Sequence, residues 1–457
     1  MNEHEHPFLC GVIEGFYGRP WAWEQRLQLL DWMHAWGMDT YMYGPKDDIK
    51  IRTRWRERYT DAEAGALARL IEQCVERGVH FIYAIAPGLD MRYADPSDTA
   101  ALHSKLEQLA RLGARDFTVL FDDIPHHMDE ADRSRFGTFA YAQAHVCNQA
   151  VDHLRERGIA GRFFMCPTDY CGRMATPSVP ESAYLRELGE RLQPSIEVFW
   201  TGDEIVSQTI TVESIRQLRR VLGRKPIIWD NLHANDYDIR RVYLGPFAGR
   251  PPALRHEVSG ILTNPNCEFE PNYVAIRTLA SYARDGDAYE PRAALREAQR
   301  AWLADFATEG GEPLTMAEIE LLCDAFYLPF ERGPSADGFL ATVEAAARVA
   351  PAVQPDQVVA VATYAASVER LFSKLTELRH RDLLYALYRY VWELRTETGL
   401  VADHLRWLAA APAPDARFAK PDRVANTYRG GLAASLQRLL PLDQEGQARL
   451  RADERYD

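Results

Sequence analysis

Positive charge is in short supply in this 457-residue sequence, where 53 lysines and arginines stand against 66 aspartates and glutamates, for a formal net charge of −13. Such a balance repels phosphate backbones and anionic lipid surfaces, so we expect neither nucleic acid nor membrane as a partner. No apolar run approaches the ~18 residues that a membrane span requires. The N-terminal stretch "MNEHEHPFLC" also lacks the basic and apolar regions of a signal peptide, and we expect no leader.

Cysteine is scarce as well, and its pattern is informative. The seven cysteines are odd in number and are scattered through segments that we predict to be strands and helices. A disulfide framework needs paired cysteines and an oxidising compartment. We therefore predict free thiols and a cytoplasmic location.

Short apolar runs, each followed by a polar loop and an amphipathic segment of helical length, fill the first 285 residues. Such alternation indicates a parallel sheet buried on both faces. Eight units in about 280 residues fit an α/β fold of the closed, TIM-like (β/α)8 barrel type better than an open doubly wound sheet, which remains the alternative. The open sheet would be supported by a glycine-rich dinucleotide turn, but "IEGFYGRPW" after the first run does not fit G-x-G-x-x-G. The runs are 8–15, 39–45, 80–87, 116–123, 162–167, 196–202, 226–231 and 260–266.

Beyond residue 285 the strand-like runs stop, and amphipathic helical segments separated by proline and glycine follow. We therefore predict a catalytic barrel domain over residues 1–285 and an all-α helical bundle domain over residues 286–457. One helical segment carries Tyr385, Tyr388 and Trp392 on one face. This spacing predicts packed core or a subunit interface rather than a ligand site.

The predicted strands end in polar residues. In a parallel barrel, the C-terminal strand ends and the loops after them meet at one mouth, where active sites lie. Carboxylates, amides, a lysine, tyrosines and a tryptophan suit a neutral polyhydroxylated ligand, because acids and amides bind vicinal hydroxyls and tryptophan stacks on a sugar face. The sequence therefore predicts a sugar site. The residues concerned are Glu14, Gly15, Lys46, Asp47, Asp48, Asp122, Asp123, Asp169, Tyr170, Asp203, Trp229, Asp230, Asn231, Asn264 and Asn266.

Two adjacent aspartates, Asp122 and Asp123, end the fourth run in "LFDDI". Neighbouring carboxylates are either fully solvated or use their repulsion to keep one of them protonated. They are poorly placed to flank a glycosidic bond from about 5 to 9 Å apart, as ordinary glycosidases require. We therefore hypothesise that the substrate supplies the nucleophile: a 2-acetamido group attacks the anomeric carbon, one carboxyl protonates the leaving oxygen, and the other orients the amide.

The motifs of the predicted barrel, taken in order, resemble those of one glycosidase family. They are "GVIEGFYGRPW", "YMYGPKDD", "YAIAPGLD", "LFDDI", "CPTDYCG", "IIWDNLHANDYD" and "LTNPNCEFEPNYVA". These motifs are similar to those of the O-GlcNAcases, glycoside hydrolases of family 84, over residues 8–285, while over the helical region the resemblance is only architectural. The resemblance implies a retaining exo-β-N-acetylglucosaminidase that removes O-GlcNAc from Ser or Thr of glycoproteins through an oxazoline intermediate, with no cofactor.

The resemblance also implies roles for individual residues. Asp122 would orient the acetamido group and stabilise the oxazoline, and Asp123 would be the general acid and then the general base. Tyr170 would donate a hydrogen bond near the acetamido group. The other sugar contacts would come from Gly15, Lys46, Asp236 and Asn264 on ring hydroxyls and from Trp229 and Asn231 around the acetamido pocket, with Tyr237 closing the site.

Two other functions stay open on the sequence. One is a β-hexosaminidase or hyaluronidase-like enzyme acting on free glycans. The other is a non-catalytic glycan-binding protein, whose signature would be loss of the acid, whereas Asp123 is present.

The resemblance further implies a homodimer formed through the helical domain, with an O-GlcNAc-modified protein or glycopeptide as the partner.

Two charged clusters are set aside. His126, His127, Asp129 and Asp132 lie close together in sequence, but adjacent histidines point apart and the spacing fits neither a Cys/His nor an H-E-x-x-H pattern, so we expect no metal. The basic stretch "KIRTRWRERY" after Lys46 is predicted to be an exposed loop face.

Overall fold

The computed structural model describes residues 7–413, 415–418, 430–441 and 447–451. Part of the N-terminal stretch that we compared with a signal peptide, and parts of the predicted helical domain, lie outside these ranges. The chain divides into two compact units. The first comprises Met1–Asp236, Phe247–Cys267 and Ile276–Pro291, and the second comprises Tyr237–Pro246, Glu268–Ala275 and Arg292–Asp457. The domain boundary at residue 285 stays a prediction.

Eight parallel strands close into a barrel in the first unit, in their order along the chain. The first strand pairs with the second on one side and with the eighth on the other, where Leu9 is aligned with Gly260. The predicted (β/α)8 barrel is confirmed, and the open sheet is wrong. Each predicted apolar run contains one strand, and these are β1 (Leu9–Glu14), β2 (Thr40–Tyr43), β3 (His80–Ile85), β4 (Asp116–Leu120), β5 (Phe163–Cys166), β6 (Ile196–Trp200), β7 (Ile227–Asp230) and β8 (Gly260–Thr263).

The strands are buried along nearly their whole length, because one face of the sheet fills the barrel and the other lies beneath the helices. Val12 of β1 and Phe117 of β4, for example, expose none of their surface. Glycine is required where β1 and β2 approach most closely. A Cβ atom on Gly11 would lie 1.8 Å from the carbonyl oxygen of Thr40.

Helices follow the strands of the barrel and often begin at a capping side chain. Thr60 accepts a hydrogen bond from the backbone N–H of Glu63 at 3.4 Å, and Asp95 accepts one from Ser97 at 2.8 Å. These caps satisfy N–H groups that the first helical turn leaves without partners. The helices are α1 (Trp23–Trp36), α2 (Asp61–Glu76), α3 (Pro96–Arg111), α4 (Glu130–Phe136), α5 (Phe139–Glu156), α6 (Ala183–Arg191), α7 (Val212–Leu222) and α8 (Asn272–Asp285).

The region after residue 290 is helical, which confirms the predicted bundle. Val343, Val361, Leu394 and Leu405, from three successive helices, meet in its apolar core. Among the residues that the structure describes, no helix is both long and apolar enough to cross a membrane. The helices of this region are α9 (Pro291–Trp302), α10 (Met316–Ala325), α11 (Pro334–Val349), α12 (Pro355–Thr376), α13 (Arg381–Ala409) and α14 (Gly431–Leu439).

The aromatic face of α13 lies outside that core. Tyr385, Tyr388 and Trp392 are 59%, 46% and 43% exposed, whereas Leu387 and Leu394 of the same helix are fully buried. The core interpretation of these aromatic residues is therefore wrong. A subunit interface at these residues stays a prediction.

Candidate active site

The C-terminal ends of the barrel strands bring most of the predicted site residues to one mouth, as the parallel topology requires. The side-chain contacts at this mouth link the loops after β1, β2, β4, β5, β7 and β8. All of them lie within the first unit. The two aspartates after β4 are at the centre of these contacts, and each has a different environment.

Asp122 is a buried carboxylate with a cationic partner. Its Oδ2 lies 2.7 Å from the Nζ of Lys46, and the two side chains are only 10% and 4% exposed. Burial by itself raises the pKa of the Asp122 carboxyl, but the Lys46 ammonium and then Arg52 outweigh it, so that the pKa lies below its ordinary value. The other oxygen, Oδ1, is buried without a hydrogen-bond partner among the described residues. Asp122 therefore remains ionised and has one oxygen available to accept a hydrogen bond.

Asp123 is exposed and is held by two tyrosines. The hydroxyl of Tyr170 donates to Oδ1 at 2.9 Å, and the hydroxyl of Tyr17 donates to Oδ2 at 3.2 Å. Burial and then the neighbouring Asp123 charge raise the pKa of Tyr170 well above its ordinary value, so its hydroxyl stays protonated and can donate. Asp123 is thus fixed in place while its carboxyl stays accessible to water or substrate.

The two neighbouring carboxyls differ in environment because each has different partners. Our argument from mutual repulsion assumed that one of the two carboxyls stays protonated because the other is charged. In the structure Lys46 neutralises Asp122 directly, at 2.7 Å. A lysine from another loop, which adjacency in sequence does not reveal, therefore sets the charge of Asp122.

The loop that carries Lys46 is anchored by Asp48. Its carboxylate accepts hydrogen bonds from the hydroxyls of Tyr43 at 3.0 Å and Tyr59 at 2.8 Å, and from the backbone N–H of Lys50 at 3.0 Å. These bonds tie the middle of the loop to the end of β2 and to the end of the loop before α2. Lys46 is consequently held against Asp122 before any substrate binds.

A second group of polar side chains lies after β7 and β8. Asn231 accepts hydrogen bonds through Oδ1 from the Nε1 of Trp229 at 3.1 Å and from the Nδ2 of Asn264 at 3.0 Å. The Oδ1 of Asn264 is buried with no partner among the described residues. A Cβ on Gly15 would lie 3.0 Å from the Trp229 ring, so glycine there leaves room for the indole. The group offers an aromatic wall beside a free amide oxygen.

The end of β7 is braced by a buried ion pair. Arg250 donates from Nε to one oxygen of Asp230 at 2.7 Å and from Nη2 to the other at 2.9 Å, and neither side chain is exposed. Removing one partner of such a pair leaves an uncompensated buried charge and costs about 3–5 kcal/mol. The pair keeps Trp229 and Asn231, on either side of Asp230, in place.

Asp236 and Tyr237 have different surroundings although they are adjacent. The Oδ2 of Asp236 accepts a hydrogen bond from the backbone N–H of Tyr17 at 2.9 Å, at the mouth of the barrel. Tyr237 belongs to the second unit, in which its hydroxyl lies 2.8 Å from that of Tyr243. The closing role of Tyr237 stays a prediction.

Two residues at the mouth were missed by our reasoning from the sequence. Tyr17 lies in the quoted motif "GFYG", but tyrosine is common at any surface, so its contact with Asp123 had no local signal. Arg52 lies in the basic stretch that we predicted to be exposed. That prediction is wrong for Arg52, which is 9% exposed and donates from Nη2 to the carbonyl oxygen of Asp123 at 2.9 Å. It holds for Arg54, whose side chain is 53% exposed and pairs with Glu57.

The histidine and aspartate cluster after β4 forms ordinary contacts. His126 lies 3.4 Å from Asp169, and Asp129 caps α4 by accepting from the backbone N–H of Asp132 at 2.7 Å. Within the described ranges, no group of three or more histidine, cysteine or acidic side chains is arranged to hold a metal ion.

Comparison with known proteins shows the family to which the chain belongs. A family model described as beta-N-acetylglucosaminidase matches residues 10–312, most of the chain. The chain belongs to this family of β-N-acetylglucosaminidases. The match covers the loops that carry both aspartates, Lys46 and the asparagines. The chain is accordingly a glycoside hydrolase.

The individual proteins to which the chain is similar are O-GlcNAcases. The protein O-GlcNAcases of Rattus norvegicus and Mus musculus are each 30% identical to the chain over 640 residues, covering 95% of this chain and 70% of each relative. An O-GlcNAc hydrolase of Thermobaculum terrenum, solved as a mutant, superposes with a TM-score of 0.79 at 26% identity, covering 89% of this chain and 86% of that one. The predicted resemblance to the O-GlcNAcases within the β-N-acetylglucosaminidase family is confirmed.

Proposed function

We propose that this β-N-acetylglucosaminidase is a retaining exo-enzyme that removes O-GlcNAc from Ser or Thr of glycoproteins, with catalysis assisted by the substrate. The observation that carries the proposal is the pair Asp122 and Asp123. One is a buried carboxylate paired with Lys46 at 2.7 Å, and the other is an exposed carboxyl held by two tyrosines. Two neighbouring acids in such different environments suit two different tasks.

In the first step, the acetamido oxygen of the substrate attacks the anomeric carbon while the bond to the Ser or Thr oxygen breaks. Asp123 gives its proton to that leaving oxygen. Asp122 accepts a hydrogen bond from the acetamido N–H through its Oδ1, which has no partner among the described residues, and stabilises the positive charge that develops on the ring. The product of this step is an oxazoline that keeps the nitrogen proton, that is, an oxazolinium ion paired with the Asp122 carboxylate.

In the second step, water attacks the anomeric carbon of the oxazoline. Asp123, now a carboxylate, takes a proton from the water, and the bond to the acetamido oxygen breaks. Two successive inversions return the anomeric carbon to its original configuration, so the sugar is released as the β-anomer.

The remaining predicted residues have places consistent with this scheme. Trp229 and Asn231 are proposed to enclose the acetamido methyl and carbonyl. Tyr170, whose hydroxyl donates to Asp123 in the structure, is proposed to turn that proton toward the acetamido group when the substrate binds. Asn264, through its free Oδ1, and Asp236 are proposed to accept hydroxyl protons of the sugar ring. Gly15 leaves the space that the ring needs beside Trp229. Lys46, proposed on resemblance to hold a ring hydroxyl, has the further task of keeping Asp122 ionised.

The substrate class is tested by comparing an O-GlcNAc peptide with chitobiose and a hyaluronan oligosaccharide, with chelator present and no metal added. We expect the peptide to be hydrolysed at the higher kcat/KM and NMR of the fresh product to show β-N-acetylglucosamine. Faster cleavage of the free glycans would favour a hexosaminidase, and cleavage within the hyaluronan chain a hyaluronidase-like enzyme. Binding of the sugar without turnover would identify a glycan-binding protein.

Replacing Lys46 with methionine is expected to move the acidic limb of the pH profile of kcat to higher pH. Asp122 acts as a carboxylate, so activity is present above its pKa and is lost as the pH falls through it. Lys46 holds that pKa down, whereas burial raises it, so removing the cation raises the pKa. We expect kcat to fall about tenfold more at acidic than at alkaline pH. Lys46→Arg, which retains the charge, is the control, and an unshifted limb in Lys46→Met would contradict the role of the ion pair.

We also propose that the enzyme is a homodimer formed through the helical domain. The support is the exposed aromatic face of Tyr385, Tyr388 and Trp392 on α13, since large aromatic side chains are enriched in interfaces. Trp392→Asp is expected to shift the sedimentation of the protein from dimer to monomer. A wild type that sediments as a monomer at all concentrations would refute the dimer.

A cytoplasmic location is the last part of the proposal. None of the seven cysteines, all within the described ranges, forms a disulfide, and Cys147, for example, is fully buried. Burial raises the pKa of its thiol above the ordinary value, which keeps it protonated and unreactive. Free, buried thiols of this kind support a reducing compartment.

A further inference from the structure

Asp123 adopts a backbone conformation that few side chains tolerate. Its φ is 51°, and within the described ranges only one other non-glycine residue, Ala411, has a positive φ. Aspartate enters the left-handed region more readily than most residues, but such a conformation persists only where the surrounding structure holds it. The conformation determines where the carboxyl of Asp123 points, so whatever holds it also aims the carboxyl.

Arg52 contacts the backbone of Asp123 and holds it in this left-handed conformation. Its Nη2 donates to the carbonyl oxygen of Asp123 at 2.9 Å, across 71 positions of sequence. Its guanidinium also lies 6.0 Å from the centre of the Tyr17 ring, and the hydroxyl of Tyr17 donates to the Asp123 carboxyl at 3.2 Å. Arg52 therefore contacts both the main chain of Asp123 and one of the two tyrosines that hold its side chain.

The burial of Arg52 is not explained by an ion pair. The residue is 9% exposed, its Nη1 is buried without a hydrogen-bond partner in the described part of the chain, and its hydrogen bond is to a backbone carbonyl. A guanidinium buried in this way, with one hydrogen bond to a neutral carbonyl, is costly, because burying a charge is offset only by pairing and hydrogen bonding. Neighbouring Arg54 is the contrast, since it is 53% exposed and pairs with Glu57 on the surface.

The segment before Arg52 is fixed to the barrel. The carbonyl oxygen of Ile51 accepts from the backbone N–H of Ala86, just after β3, at 2.9 Å. The carbonyl oxygen of Lys50 accepts from the Nζ of Lys105, a fully buried side chain on α3, at 3.0 Å. Arg52 is thus presented to Asp123 from a rigid support.

We propose that Arg52 is a positioning residue for Asp123, holding its backbone in the left-handed conformation that aims the carboxyl at the leaving oxygen. The inference rests on the proposed role of Asp123 as general acid and base. Arg52 also lies near enough to Asp122 to help lower the pKa of that carboxyl. Loss of Arg52 therefore has two effects, one on general acid catalysis and a smaller one on the stabilising carboxylate.

The test uses a series of aryl β-N-acetylglucosaminides with 2,4-dinitrophenyl, 4-nitrophenyl and phenyl leaving groups. A good leaving group departs without protonation, so a misplaced acid affects it least. We expect Arg52→Met to lower kcat/KM by about tenfold or less for the dinitrophenyl substrate and by about 100-fold or more for the phenyl substrate. Arg52→Lys, which retains charge but not the planar guanidinium, is expected to show the same trend more weakly. Arg54→Met is the matched control, with less than about twofold loss on every substrate.

An equal loss on all three substrates in Arg52→Met would overturn the inference, because a purely structural arginine affects every leaving group alike. Circular dichroism and thermal denaturation establish that each variant is folded. If Arg52→Met does not fold, Arg52→Lys decides the question by the same comparison. The proposed function fails separately: Asp123→Asn would then lose its own dependence on the leaving group, whereas failure of the Arg52 inference alone leaves that dependence intact.

Discussion

Asparagine in place of Asp122 is expected to lower kcat for an aryl β-N-acetylglucosaminide roughly 100- to 1,000-fold, by a similar factor for every leaving group. The negative charge of the carboxylate stabilises the positive charge of the forming oxazoline, and the neutral amide of asparagine provides no such charge. The loss falls on attack by the acetamido group, which precedes or accompanies departure of every aglycone. Steady-state kinetics with the three aryl substrates named above measures it.

The ion pair between Lys46 and Asp122 gives a second expectation for Asp122→Asn. In the variant, a buried ammonium loses the partner that lies 2.7 Å away and becomes an uncompensated charge beside the acetamido pocket. Asp122→Asn combined with Lys46→Met is therefore expected to lose less activity than the product of the two single losses. If Asp122→Asn alone retained more than about one tenth of the wild-type kcat, this result would show that Asp122 does not stabilise charge in the reaction.

Asparagine in place of Asp123 is expected to cause a loss that, unlike that of Asp122→Asn, depends on the leaving group. With the phenyl substrate we expect a loss of about 100- to 10,000-fold, because protonation of the departing oxygen is lost. With the dinitrophenyl substrate, formation of the oxazoline needs little protonation, and its hydrolysis, which needs a base, becomes limiting. Added azide, an anion that attacks without giving up a proton, is expected to restore turnover of that substrate and to form the β-glycosyl azide.

The two variants are matched controls for each other. They make the same change at neighbouring positions on one loop, so a general disturbance of the loop after β4 would affect both in the same way. A uniform loss in Asp123→Asn, or a loss in Asp122→Asn that grows as the leaving group worsens, would reverse our assignment of the two roles. An aryl β-glucoside, which lacks the acetamido group, is expected to remain uncleaved by the wild type.

The fold was predictable because its signals are local. A parallel strand buried on both faces must be apolar along its length, so runs such as 80–87 and 116–123 mark strands directly in the sequence. Their number and their alternation with helices then indicated a closed barrel. The aromatic face of α13 could not be assigned in this way, since helical spacing is the same for a core and for an interface. Exposure, which only the folded structure has, excluded the core.

Part of the candidate site was also predictable. Strand ends in a parallel barrel meet at one mouth, so polar residues such as Asp122, Tyr170 and Asn264 were expected there from their positions after apolar runs. The motif resemblance added individual roles for them. Neither source could supply the partners of these residues, because the contacts join parts of the chain that are far apart in sequence.

The sequence by itself determined the barrel, the helical region and the presence of two aspartates at the end of β4, because composition and periodicity encode burial along each element. Tertiary structure decided how the two acids differ. Lys46 reaches Asp122 across 76 positions, Arg52 reaches the carbonyl of Asp123 across 71, and Tyr17 reaches its carboxyl across 106. The charge and aim of a carboxyl depend on the groups within a few ångströms of it, and only the closed barrel brings those groups together.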